Sequence, residues 1–125
     1  MKKAYMTDRA PQPVGPYSQA VQAGSFLFLA GQVPLNPQNT MVEGDINVQA
    51  RQVMNNLKAV LEWAGATMDQ VVKTTIFLAD LSDFDAVNKI YAEYFKEPYP
   101  ARSTVEASKL PKGARLEIDV IAYLS

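Results

Sequence analysis

The 125-residue sequence predicts a two-layer α+β domain. Three observations predict it. Segments of strand character flank and separate two helical segments, in the order strands, helix, strand, helix, strands. The final segment alternates cleanly, with Leu116, Ile118, Val120, Ala122 and Leu124 on one side and Glu117, Asp119, Ile121 and Tyr123 on the other. The first helical segment carries apolar residues at three- and four-residue steps, which gives it a stripe to lay on such a sheet.

The elements follow in order. Ala10 to Tyr17 is stiffened by Pro11, Pro13 and Pro16, which hold Tyr17 in a defined place. Strand signals come at Ser18–Val21 and Ser25–Ala30, with Gly24 between them, and Asn36 to Asn39 is a turn. Ile46 to Ala64 is the first helix, with apolar positions at Ile46, Ala50, Val53, Leu57, Val60 and Leu61. Asp45 is its N-cap and Gly65 its C′ residue. Gln70 to Ala79 is rich in β-branched residues and short enough for a strand. Asp80 to Ser82 opens the second helix, where Ser82 and Asp85 resemble a capping box; Phe84, Val87, Tyr91, Tyr94 and Phe95 form its apolar side. Strands at Ala101–Ala107 and Arg115–Leu124 close the chain, and the unit Gln70–Ala107 should be a right-handed parallel crossover. The face carrying Ile121 and Tyr123 is half apolar, which points to oligomerisation through it.

Composition removes several classes of function. There is no cysteine and no histidine, so there is no disulfide, no thiol nucleophile, no zinc site of the Cys/His kind and no serine–histidine triad. Proton transfer must come from a carboxylate, lysine, tyrosine, water or the backbone. Net charge is −1 and the basic residues are scattered, which argues against nucleic acid as a partner. The N-terminus has no apolar core like that of a signal peptide, and no apolar run approaches a membrane span, so a cytoplasmic protein is the expectation.

Two charges stand out. Arg102 lies on one strand and Glu117 on the next, each where a mostly apolar alternation would place something greasier. Both should be partly withdrawn from water, which is costly without a partner. That partner is either the other residue or a ligand. The arginine fork matches a carboxylate in shape and charge, so a small carboxylic acid is the natural guest. Thr104 shares the side of Arg102 by strand alternation.

Ordered segments along the chain carry a family resemblance: Gly15-Pro-Tyr-Ser18, Ala30-Gly-Gln-Val-Pro34, Val71–Phe77, Asp80-Leu-Ser-Asp-Phe84, Pro100-Ala-Arg-Ser103 and Leu110-Pro-Lys112. Together they resemble the RidA (YjgF) family, over nearly all of residues 1–125 as one domain. The resemblance implies a chorismate-mutase-like α+β fold: a six-stranded mixed sheet with two helices on one face, assembled as a homotrimer with clefts between subunits. It implies hydrolysis of reactive enamines and imines, such as 2-aminoacrylate and 2-iminobutanoate, to 2-oxo acids and ammonia, without metal or organic cofactor. Arg102 matches the family's substrate arginine and Glu117 its acidic site residue. Tyr17, Gly31, Lys73 and Asn88 match positions at or near the cleft. Two positions depart from the frequent family pattern: Ala30 stands where a serine is common and Thr104 where a cysteine is common. These departures bear on substrate range. Two rival readings use the same chain: a non-enzymatic sensor that binds 2-oxo acids at the same cleft, and an RNA-directed ribonuclease or translation inhibitor.

Overall fold

The computed structural model describes residues 1–125. Eight main elements run in the order β1 (Lys3–Tyr5), β2 (Ala20–Ala23), β3 (Phe26–Gln32), α1 (Ile46–Trp63), β4 (Val71–Leu78), α2 (Phe84–Ala92), β5 (Ala101–Glu106) and β6 (Leu116–Tyr123). The six strands form one mixed sheet in the order β1-β2-β3-β6-β4-β5. Only β4 and β5 run parallel, joined by the crossover through α2. The α+β architecture expected from the residues is the one found.

The alternation in β6 decides the layering. Leu116, Ile118, Val120 and Ala122 are all buried and join Leu27, Leu29, Ile76 and Leu78 from neighbouring strands. Ala50, Val53, Leu57, Val60 and Leu61 of α1, with Val87, Ile90 and Tyr91 of α2, cover that face and complete the core. The opposite face carries Phe26, Phe28 and Tyr123, all exposed, with the Phe26 and Tyr123 rings packed edge-on at 5.3 Å. No helix is long and apolar enough to cross a membrane.

α1 begins where its cap chemistry requires. The Asp45 side chain accepts a hydrogen bond from the Val48 N–H at 3.1 Å, satisfying an otherwise orphan donor. Gly65 takes a positive φ of 84° just past the end, as a C′ glycine does. The second helix opens differently from the sequence expectation. The Ser82–Asp85 capping box is not formed; Asp80 accepts from the Ser82 N–H at 2.9 Å and caps a 3-10 turn over Leu81–Asp83 that feeds α2. The helix also stops at Ala92, so Tyr94 and Phe95 pack from beyond its end.

The strands differ at their margins. Ser18 and Ser25 lie outside β2 and β3, and β3 runs on through Gly31 to Gln32. β1, which pairs Tyr5 with Ala20, had no periodic signal because it is three residues long. Two irregularities matter for the site. In β3, Leu29 pairs with Val120 but Gln32 pairs with Ile118, so Ala30 and Gly31 together oppose the single residue Asp119. In β4, Val71 pairs with Ala122 and Lys73 with Ile121, leaving Val72 as the extra residue. Such bulges bend a strand and re-aim its side chains.

Candidate active site

The sheet register places Arg102 and Glu117 on opposite faces. Arg102 pairs with Thr74, which pairs with Val120 of the helix-covered face. Glu117 pairs with Phe77, on the open face. The two charges are therefore not each other's partners within one chain. Arg102 is also exposed rather than withdrawn from water, because β5 is an edge strand and its side chain lies at the rim of the helical layer.

The surroundings of Arg102 are neutral. Its Nη1 donates to Asn88 Oδ1 at 2.7 Å. Its guanidinium lies 5.0 Å from the Tyr91 ring centroid and 5.4 Å from that of Phe84. Phe84, Asn88 and Tyr91 fall at i, i+4 and i+7 on α2, so one helix stripe presents all three. The chain's ion pairs are Arg9–Glu62, Arg51–Glu93, Lys96–Asp69 and Arg115–Asp83, and none involves Arg102. Cation–π contact and an amide acceptor hold a guanidinium without neutralising it. Beside it opens a cleft of about 490 Å³ lined by Asn88, Tyr91, Ala92, Tyr99, Pro100 and Arg102.

Glu117 belongs to a different neighbourhood. It is half-buried, and the bulge in β3 brings Gly31 so close that a Cβ there would collide with its carboxylate. A side chain at Gly31 would have to push the Glu117 carboxylate aside, so glycine there leaves that carboxylate where it lies. Burial, and then the charge of Asp119, push the Glu117 carboxyl above its ordinary value of 4.5. Asp119 is pushed up as well, chiefly by burial, against the opposing pull of a hydrogen bond from Thr75 and the charge of Lys73. Lys73 donates from Nζ to Ser103 Oγ at 2.9 Å. It therefore sits in a polar row on the open face, apart from the Arg102 cleft.

Gly31 also borders a second cleft, of about 340 Å³, walled by Tyr17, Gln19, Gln32, Pro111 and Lys112 among others. Buried Gln19 ties the proline-rich segment down: its side chain accepts from the Thr7 N–H at 2.6 Å and donates to Thr7 O and Pro11 O. Asn39, with a positive φ of 63°, exchanges two hydrogen bonds with the Gln12 backbone. These links fix the loop that carries Tyr17, a residue that is 55% exposed.

The predicted residues thus separate into three groups. Arg102 and Asn88 meet; Tyr17, Gly31 and Glu117 gather around the β3 bulge; Lys73 stands with Ser103. Thr104 shares the Arg102 face and is half-buried, next to Ile76 in register. Ala30 occupies the bulge with its N–H bonded to Gln19 O at 2.9 Å. Tyr91, Phe84 and Tyr99 were not among the candidates, since aromatic residues on an apolar helix face or beside a proline carry no signal of a site. No group of three or more carboxylate, histidine or cysteine side chains is arranged to hold a metal ion.

Comparison with known proteins gives consistent neighbours. Residues 7–124 match the family pattern described as Endoribonuclease L-PSP. A RutC family protein of Pyrococcus horikoshii is 52% identical, over 98% of each chain. A protein of Dermatophagoides farinae named 2-iminobutanoate/2-iminopropanoate deaminase is 48% identical, over 98% of this chain and 97% of its own. The crystal structure of YyfA, a Rid family protein of Yersinia pestis, superposes with a TM-score of 0.96 at 51% identity, covering 99% of this chain and all of the other. That of E. coli TdcF with bound serine gives 0.93 at 41% identity, covering 98% and 99%.

Proposed function

Since this chain belongs to the RidA family, whose pattern carries the description endoribonuclease L-PSP, we propose that it hydrolyses small 2-imino carboxylates to 2-oxo acids and ammonia. One observation carries the reading: Arg102 is a guanidinium held by neutral partners beside a cleft, with no carboxylate of its own chain to satisfy it. A ligand carboxylate is the group that completes it, in the bidentate geometry lysine cannot copy. The mite relative's name and the serine bound to the E. coli neighbour agree with a small amino-acid-like guest.

In this reading a neighbouring subunit supplies what Arg102 lacks. Arg102 and Asn88 of one chain face Tyr17, Gly31 and Glu117 of the next, in a homotrimer with three such clefts. Arg102 fixes the carboxylate and so places the imine carbon. The Gly31 N–H adds a second contact to it. Water bonds to the electrophilic carbon while Glu117 takes one of its protons and returns it to nitrogen, giving a carbinolamine. The remaining hydroxyl proton then passes through Glu117 to the same nitrogen as the C–N bond breaks, so that the carbonyl forms and ammonia departs. An enamine enters as its imine tautomer, and the balance is imine plus water to oxo acid plus ammonia. The raised affinity of Glu117 for a proton suits a group that accepts one and returns it.

The test is a coupled assay in which a dehydratase generates 2-aminoacrylate from serine. The wild-type chain accelerates pyruvate release; Arg102→Ala abolishes the acceleration while the assembly persists by sedimentation. Normal acceleration by that variant refutes the clamp. The family description raises an RNA-directed alternative, but the net charge of −1 and lack of histidine give it little to work with. RNA binding that falls steeply with salt would revive it.

A further inference from the structure

The stripe that cradles Arg102 is anchored by a bond on its far side. Thr74 is completely buried on β4, directly beside Arg102 in the parallel register. Tyr91 of α2 is 5% exposed, and its hydroxyl shares a 2.8 Å hydrogen bond with Thr74 Oγ1. No other side-chain hydrogen bond in the chain joins α2 to β4. The Tyr91 ring leaves this anchor and presents a face to the guanidinium 5.0 Å away, while Phe95 packs against the ring at 4.6 Å from beyond the helix. A phenylalanine would fill the same space. The hydroxyl therefore does something other than packing: it fixes how far the ring, and with it Asn88 one turn earlier, stands from β5.

We infer that Tyr91, locked by Thr74, is a positioning residue for Arg102, setting the place at which the guanidinium meets a ligand carboxylate. Two hydroxyls carry the device, one on each side of the α2–β4 seam. Neither touches the ligand. The inference rests on the reading that Arg102 clamps a carboxylate. It deepens that reading by naming what sets the geometry of the clamp.

The test uses Thr74→Val, which keeps the shape and loses the hydroxyl, Thr74→Ser, which keeps the hydroxyl and loses the methyl, and the double variant Thr74→Val/Tyr91→Phe. Removing donor and acceptor together leaves no buried group unsatisfied, so the double variant melts close to wild type. A merely structural bond would then be silent. The expected result is a KM for 2-iminobutanoate, and a Kd for 2-oxobutanoate by calorimetry, raised roughly tenfold in both valine variants, with kcat within about twofold. Thr74→Ser stays within about twofold of wild type in both constants, even where its melting temperature falls. Constants in the double variant that match wild type, or a loss confined to kcat, overturn the inference. If the wild-type chain binds 2-oxobutanoate without turning over imine, the deaminase reading falls and the Kd ratio alone decides the positioning role. If it does neither, both fall.

Discussion

The Arg102 guanidinium is held by an amide, a phenol ring and a phenyl ring, none of which changes charge between roughly pH 5 and 9. The holders of Arg102 therefore add no pH dependence of their own, and the dependence of turnover should come from Glu117 across the cleft. Glu117 must be ionised to take a proton from water, and its carboxyl titrates above 4.5. The acid limb of kcat should thus fall through a value above 4.5, and Glu117→Gln should lose that limb along with most of the rate. Stability runs the other way. The folded chain holds this proton more tightly than the unfolded one, so the group's contribution is full below the unfolded value and is lost as pH rises through the folded value. Glu117→Gln should melt higher than wild type at neutral pH and converge with it below about pH 4.5, which thermal scans across pH would check. Both residues were legible in the sequence as charges out of pattern. Their separation was not, because alternation gives the side of each residue within a strand and says nothing of how two strands align. Arg102 pairs beside a buried threonine and Glu117 beside Phe77, and only the ladder through β4 reveals that these are opposite faces. The bulge that presses Gly31 on Glu117 was hidden for the same reason.

Among the elements, α1 was readable almost to the residue and β1 not at all. α1 has both of its ends written locally, in the Asp45 cap and the Gly65 turn, and a stripe long enough to show its period. β1 is three residues that become a strand only because β2 offers an edge. The entry to α2 lies between these cases: three candidate caps, Asp80, Ser82 and Asp83, stand within four residues, and tertiary ties choose among them. Asp83 is taken by Arg115 at 2.8 Å and the Leu81 N–H by Glu106 at 2.9 Å, which leaves Asp80 as the local cap. Asp45 has no such competition, so Asp45→Ala should cost about 1 kcal/mol and lower the melting temperature by roughly 4 °C, with the activity untouched. A melt unchanged within a degree or so would show that the cap contributes nothing.

At the scale of the whole molecule, the sheet has one face closed by helices and one that still shows Phe26, Phe28 and Tyr123. Exposed aromatics in a group mark an interaction surface, which the proposed assembly would bury. Within one chain Arg102 with Asn88 and Glu117 with Gly31 and Tyr17 lie apart, and in the proposed assembly they are two halves of one cleft. Two inactive variants should then repair each other. Arg102→Ala and Glu117→Gln chains, unfolded together and reassembled in equal amounts, should form rings in which about one cleft in four has both intact groups. Activity near a quarter of wild type would be recovered from two dead samples; a mixture as inactive as its parts would place both groups in one chain. The same geometry has a genetic face. A copy defective in both residues, made in a cell beside the normal one, would spoil the seams on either side of itself. Its bearer would then be left with about a quarter of the working clefts, not the half that gene dosage alone would give.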